Sequence, residues 1–369
     1  VIIFRYLARE VLISMAAVTL ALLLIFMSSR FVAYLAEAAT GEIAGSILMP
    51  ILLYRIPAFL ELIMPLGLFL GIMLSYGRLY VESEMIVMNA CGLSKNRLLV
   101  YTQIPALLVA VVAGVMSLYA TPLGWQKFYQ LWDDPNNMRG LNTMVAGRFQ
   151  AARGDSMVTY AELIDKPSQN MHNVFIALPV VKQQQKGKTF ALVYAEQGRV
   201  IMLPDERRRF IELENGYRFE GNPGELKYTM SHFARYRALL DEKNPVAKTA
   251  ETDAMTTIEL MASDKRDDIA ALQWRISLPL LVPIVALIAL ALSETSHRKG
   301  RFIKMLPAML LYLAYLIALS SARSSLEKGR LPEMPGIYFV HGIFLLLGLG
   351  LYYGPDIMRR LRYKEAKPS

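Results

Sequence analysis

The chain has 369 residues, is 54% hydrophobic and carries a net charge of +9, with only 19% charged residues. That charged share is well under the roughly 25% of soluble domains, and the apolar residues stand in blocks, so lipid rather than one large core must surround part of the chain. The basic residues flank those blocks, as they do beside membrane spans, which excludes nucleic-acid binding as the source of the charge.

A membrane-spanning helix needs about 20 mostly apolar residues. The first candidate runs from Val11 to Met27 and on towards Leu35, the second from Ile51 to Tyr76, and the third from Leu98 to Ala120. After a long polar stretch come Ile276 to Leu292, Phe302 to Leu319, and Ile337 to Tyr353. The expected fold is an α-helical membrane protein of about six transmembrane helices with a domain inserted between helices three and four. Residues 1–124 then hold helices one to three, residues 125–270 the insert, and residues 271–369 helices four to six and a tail. Arg5, Arg9 and Ala36-Glu37-Ala38 resemble parts of a signal peptide. The apolar block is longer than a usual signal core, and its removal leaves an odd number of spans, so it is read as a retained span.

The flanks set the orientation. Arg5 and Arg9 precede span one; Arg78, Lys95 and Arg97 lie between spans two and three; Arg298, Lys299, Arg301 and Lys304 lie between four and five. Arg359, Arg360, Arg362, Lys364 and Lys367 follow span six, while the opposite loops are much poorer in Lys and Arg. The positive-inside rule therefore expects both termini in the cytoplasm and the insert outside, in the periplasm of a Gram-negative cell.

The insert reads as strands. Met157 to Tyr160, Val174 to Leu178, Phe190 to Tyr194, Val200 to Leu203, Glu225 to Met230 and His232 to Tyr236 are short β-forming runs. Arg209 to Gly216 alternates and ends in Asn215-Gly216, a tight-turn signal, with Tyr217 to Gly221 as the return strand. Several short strands at close spacing suggest a sandwich or β-jellyroll-like domain. Asp241 to Asp253 reads as a loop, and Thr257 to Asp268 as a helix leading back to the membrane.

The segment from Leu79 to Leu93, between spans two and three, carries the most information. Glu82 and Glu84 stand at its start, and Met85, Val87, Met88 and Cys91 recur at helical spacing. Acidic residues favour a first helical turn, and Gly92 suits the position just past a helix end. A short amphipathic helix resting on lipid usually presents Lys or Arg to anionic headgroups. This one begins with Glu, which favours a protein partner.

Glu82-Ser83-Glu84 followed by Val87-Met88-Asn89-Ala90-Cys91-Gly92 resembles the coupling-helix region of the LptF/LptG permease family. Similarity continues through Arg5-Tyr6, Pro65 to Leu70, Trp274-Arg275-Ile276 and Met305 to Tyr312, across nearly the whole chain. The resemblance implies a permease subunit of an ABC transporter that extracts lipopolysaccharide from the inner membrane and passes it to a periplasmic bridge. It implies an LptG-like permease as heterodimer partner, an LptB-like ATPase dimer docked on the coupling helices, and LptC-like and LptA-like periplasmic proteins. Glu84 falls on the family's coupling-helix glutamate, and Glu82, Met88 and Cys91 accompany it at the expected ATPase contact.

Ionisable residues within spans are functional candidates. Arg55 and Glu61, in the outer half of span two, either line the central cavity, or Arg55 snorkels to the interface and Glu61 pairs with a neighbouring helix. Arg30, Arg323 and Lys328 stand at the outer ends of spans one and five, the spans that form lateral gates in the resembling family. They are read either as grips on lipid A phosphates through charge-assisted hydrogen bonds or as ordinary interface anchors. Gly67 and Gly71, and Gly350 and Gly354, are GxxxG pairs that suit close helix packing within the chain or between subunits.

Other classes have less support. Gly187-Lys188-Thr189 ends like a Walker A loop, but the position needing the first glycine is Lys182. No cofactor is expected on this chain, and ATP and Mg are expected at the partner ATPase. The only cysteine is Cys91, and His172, His232, His297 and His341 lack ligand spacing, so no metal is expected. An integral-membrane enzyme needs a nucleophile–base pair or metal cluster, and none is legible. The alternative within the transporter class is a mechanotransmitting ABC subunit that acts on periplasmic partners without carrying lipid.

Overall fold

A computed structural model describes residues 2–39, 45–132, 146–151, 158–165, 170–180, 189–203, 208–222, 227–239, 252–294 and 305–365. Its helices are α1 (Ile2–Ala39), α2 (Leu48–Val81), α3 (Glu84–Ala90), α4 (Lys95–Val115), α5 (Thr121–Trp132), α6 (Thr257–Met261), α7 (Arg266–Ser293), α8 (Met305–Glu327) and α9 (Tyr338–Glu365). Six helical stretches are long and apolar enough to cross a bilayer: α1, α2, α4 with α5, α7, α8 and α9. The chain divides into two compact units. One is built from residues 1–33, 49–131 and 247–369, the other from 34–48 and 132–246.

In a bilayer, lipid tails are as apolar as leucine, so helices associate through close packing and interhelical hydrogen bonds. Helix α7 sits in the middle of the first unit, against α4, α8 and α9. Ala270, Ala271, Ala286 and Ala289 are buried in it, small enough to let neighbours approach. The opposite pattern appears on α4, where Val100, Ile104, Leu107, Leu108, Val111 and Val115 form an exposed apolar stripe at helical spacing. Such a surface needs lipid or a partner helix.

Small residues join α1 to α2 in the same way. A Cβ at Gly67 would strike Thr19 Oγ1, and one at Gly71 would lie 2.8 Å from the Met15 backbone nitrogen. One turn further, Ser75 Oγ is 3.0 Å from the Glu10 carbonyl and 2.9 Å from Ser14 Oγ. The first GxxxG pair therefore packs within the chain. A Cβ at Gly350 or Gly354 would meet nothing within 4 Å.

Most helices run past the ends expected from sequence, as α8 does to Glu327 and α9 to Glu365, and two differences change the path of the chain. The third span was expected to stop near residue 120, but it passes through a π-helical turn, Met116–Ala120, and continues as α5 to Trp132. Pro122 follows that turn directly, inside the continuous helical run, where its missing N–H removes one helical hydrogen bond. The expected helix from Thr257 to Asp268 is broken after Met261. Ser263 donates to Asp268 Oδ2 at 2.5 Å and accepts from the Lys265 N–H, and such local bonds compete with helical ones. Thr256 caps α6 through a reciprocal pair with Glu259, which holds the Glu259 carboxyl below its ordinary range. Of the expected loop from Asp241 to Asp253, residues 241–251 lie outside the described residues, as do Gly187 and Lys188.

The second unit contains one six-stranded antiparallel sheet in which strand order follows the sequence. The strands are β1 (Gln150–Ala151), β2 (Val158–Ile164), β3 (Met171–Val180), β4 (Thr189–Leu203), β5 (Arg208–Gly221) and β6 (Tyr228–Leu239). The expected hairpin at Asn215-Gly216 is not there. Strand β5 runs straight through that dipeptide, paired with β4 on both sides of it, Gln197 with Glu214 and Ala195 with Gly216. Only Asn215 takes a left-handed backbone, at φ 55, whereas a two-residue type I′ turn needs positive φ at both positions. Asparagine tolerates that conformation in a turn or in a strand, so the local signal is the same.

Asn215 belongs to a crease. The ladder skips one residue in each of five strands, Glu162, Asn173, Glu196, Asn215 and Ala234, and these lie in one row across the sheet. Asn173 also has a left-handed backbone, at φ 51. Across the row, buried positions change from every second residue to every third, as at Met171 and Val174, Ala195 and Gly198, and Leu213 and Gly216. Apolar side chains from both sides of the crease meet in one core, including Met171, Val174, Val193, Ile211 and Leu213. Side chains bond along the row: Asn173 donates to Glu162 at 2.6 Å and accepts from Tyr194 at 3.0 Å. Beside it, Glu212 accepts from Arg199 at 2.8 Å and Arg237 at 2.9 Å, which holds its carboxyl below the ordinary range.

A substitution pair tests the crease. Asn215→Val places a β-branched residue in the left-handed region and should destabilise the sheet by about 1–2 kcal/mol, whereas Asn215→Gly should leave it within about 0.5 kcal/mol. Hydrogen exchange of β4 to β6 in the full chain reads the difference. Equal protection in both variants would mean the crease does not depend on that backbone conformation.

Candidate coupling helix and basic residues

The short helix exists and has two faces. Ser83, at φ 65, breaks the chain between α2 and α3. At the other end, Gly92 has φ 98, its N–H bonds the Asn89 carbonyl at 3.1 Å, and the Leu93 N–H bonds the Met88 carbonyl at 3.0 Å. This pattern ends a helix through a left-handed residue that glycine adopts at no steric cost. Met85 is fully buried, with Met88 and Leu93 against the same core. Glu84, Ile86, Val87, Asn89, Ala90 and Cys91 are exposed. Two aliphatic side chains beside a carboxylate thus lie open on one short helix.

Glu82 stands in the turn before α3, 3.8 Å from Arg78. Arg78 also pairs with Glu10 of α1. The Tyr6 hydroxyl donates to Glu84 Oε2 at 2.6 Å, and Phe4 packs edge-on against Tyr101 of α4. The site thus includes Tyr6, Glu10, Arg78 and Ile86, which the sequence reading did not single out as site residues. Arg78 was read only as a basic flank, and Tyr6 only as part of the family resemblance. Nothing in local spacing joins residue 6 to residue 84.

The four basic candidates separate into two kinds. Arg30 on α1 and Lys328 just past α8 are exposed. Arg55 lies over the Trp125 ring at 3.9 Å, with Phe128 and Phe59 nearby. Arg323 is 14% exposed, paired with Glu327 at 2.9 Å and Asp253 at 3.3 Å, and stacked over Trp274. Glu61 is buried and accepts from Thr121 of the third span at 2.7 Å, which agrees with its pairing to a neighbouring helix. Arg275, present in the sequence only as part of the family resemblance, is buried and donates to the carbonyls of Thr252, Asp253 and Met255. It ties the returning chain to the base of α7. The N-terminal end of α4 is tied to α9 by Lys95 with Asp356 at 2.7 Å and by the Tyr352 hydroxyl on the Lys95 carbonyl at 2.8 Å.

Six apolar helical spans with an inserted antiparallel sheet, and a short amphipathic helix between the second and third spans, define a multi-pass membrane protein. The chain belongs to the lipopolysaccharide export system permease LptF/LptG family, whose profile matches residues 5–354. It is 34% identical over 363 residues to the lipopolysaccharide export system permease protein LptF of Escherichia coli strain K12, covering 98% of this chain and 97% of that protein. The same identity and coverage hold for the proteins of that name from Escherichia coli O157:H7 and Shigella flexneri.

Proposed function

We propose that this chain is the LptF-type permease subunit of an ABC transporter that lifts lipopolysaccharide out of the bacterial inner membrane. Family membership across nearly the whole length is the observation that carries this reading. An LptG-like permease forms the heterodimer, an LptB-like ATPase dimer supplies ATP hydrolysis, and LptC-like and LptA-like proteins take the lipid onward. The chain itself is non-catalytic. Both termini and α3 face the cytoplasm, in keeping with the basic flanks, and the sheet domain faces the periplasm.

The physical task sets what the subunit must offer. Each buried CH₂ contributes about 0.8 kcal/mol, so an acyl chain of about a dozen carbons resists extraction by roughly 10 kcal/mol. An apolar surface must therefore be present at each stage. The exposed apolar outer part of α1, with Leu24, Ile25 and Val32, supplies one. In this reading Glu84, with Glu82 and Cys91 at the ends of the helix, meets the ATPase through the exposed side of α3, while Met88, expected at the same contact, packs against the core on the other side. Arg30 and Lys328, whose charged ends are exposed, contact lipid phosphate directly. Arg55 and Arg323, already engaged by Trp125 and by Asp253 and Glu327, shape the walls.

The test is release of lipopolysaccharide from proteoliposomes holding this chain with its co-expressed permease and ATPase partners and a soluble periplasmic acceptor. ATP-dependent transfer to the acceptor is expected. ATP hydrolysis without any transfer would favour a mechanotransmitting subunit instead.

A further inference from the structure

We infer that Tyr6 is a positioning residue that fastens the coupling helix to span one, so that α3 and the base of α1 move as one body. The inference rests on the reading of α3 as the ATPase contact. Helix α3 is separated from α2 by Glu82 and the left-handed Ser83. A seven-residue helix behind such a break is poorly placed to transmit force through α2 alone. The Tyr6 hydroxyl bridges the gap from α1, holding Glu84 by one carboxylate oxygen while the side chain stays exposed. A hydrogen bond to a charged acceptor is stronger than a neutral one.

The lower part of α1 is built to carry that load. Leu7 and Val11 are fully buried. Arg78 pairs with Glu10, Ser75 reaches the Glu10 carbonyl, and Gly71 and Gly67 take Met15 and Thr19 at close range. Beyond Thr19 the character changes, and Leu20 (58%), Leu24 (59%) and Ile25 (64%) are exposed. Span one is therefore held closely to α2 and α3 along its first five turns and more exposed beyond them, where Phe26 still stacks on Phe59. A push on α3 reaches the base of span one through Tyr6, and the more exposed part follows as a lever.

The experiment measures lipid released per ATP hydrolysed in the full complex for wild type, Tyr6→Phe, Glu84→Ala and the double variant. Tyr6→Phe keeps the ring and loses only the hydroxyl. It should lower the ratio about fivefold, the scale of one net hydrogen bond at an exposed site. In the Glu84→Ala background the same change should lower it by less than about 1.5-fold, because the two residues act as one unit. An equal loss in both backgrounds, or none in either, overturns the inference. A short bis-maleimide joining Tyr6→Cys to Glu84→Cys, in a Cys91→Ser background, gives the second measurement. Release from the crosslinked complex should equal that of the same double-cysteine complex left uncrosslinked, which shares the loss of the Glu84 carboxylate; a further loss on crosslinking would show that the two must part during the cycle. If wild-type complex moves no lipid at all, the transporter reading fails, and crosslinking efficiency in membranes still reports whether Tyr6 and Glu84 are joined.

Discussion

Reversing the charge of Glu84 to arginine should strip the ATPase from the complex. Glu84 is exposed at the start of a helix whose open face also presents Ile86 and Val87. A partner that seats this face must meet the carboxylate with a donor or a positive charge. Losing one member of a desolvated charge pair costs about 2–5 kcal/mol, and placing a like charge there costs more. Copurified ATPase per permease should therefore fall at least about tenfold, since about 1.4 kcal/mol corresponds to each factor of ten. The helix itself should persist, because Met85 and Leu93 hold its other face in the core. Undiminished recovery of ATPase, with normal hydrolysis and lipid release, would remove Glu84 from the contact.

The second large effect is expected at Gly71. A Cβ there would lie 2.8 Å from the Met15 nitrogen and 3.0 Å from its Cα, so the obstacle is backbone and cannot rotate away. Gly71→Leu should separate α1 from α2, break the Ser75 contacts above, and destabilise the purified chain by about 3 kcal/mol, the upper range for overpacking. Gly350→Leu is the matched control, because a side chain there meets nothing within 4 Å. Thermal loss of monodisperse protein in detergent separates the two. Equal stability of both variants would mean that α1 is not clamped at this point.

The pair also shows what a motif does and does not say. Gly67 with Gly71 and Gly350 with Gly354 have the same spacing and comparable apolar surroundings in sequence. One pair is sealed against α1, and the other is open. Spacing places two glycines on one helix face, but it carries no information about what lies opposite. Arg55 and Arg323 illustrate the same limit. Arg55 read as lining the cavity or snorkelling to the interface, and Arg323 as a phosphate grip or an interface anchor, yet Trp125 lies beneath one, and Asp253, which pairs with the other, is 70 residues distant in the chain.

The sequence by itself determined the features that depend on runs of neighbouring residues. Six apolar blocks of bilayer length require six spanning helices. Glu at one end and Gly92 at the other bound a short helix between the second and third spans. Alternating β-formers make the insert a sheet. Only the tertiary structure decided the rest. Asn215-Gly216 satisfies the local requirement of a turn, but pairing of β4, β5 and β6 on both sides of it makes a crease. Tyr6 and Glu84 are 78 positions apart, and their bond exists because α1 and α2 pack through small residues until the two ends meet. Contacts of that separation depend on which surfaces fit after the helices form, and local propensity has no term for them.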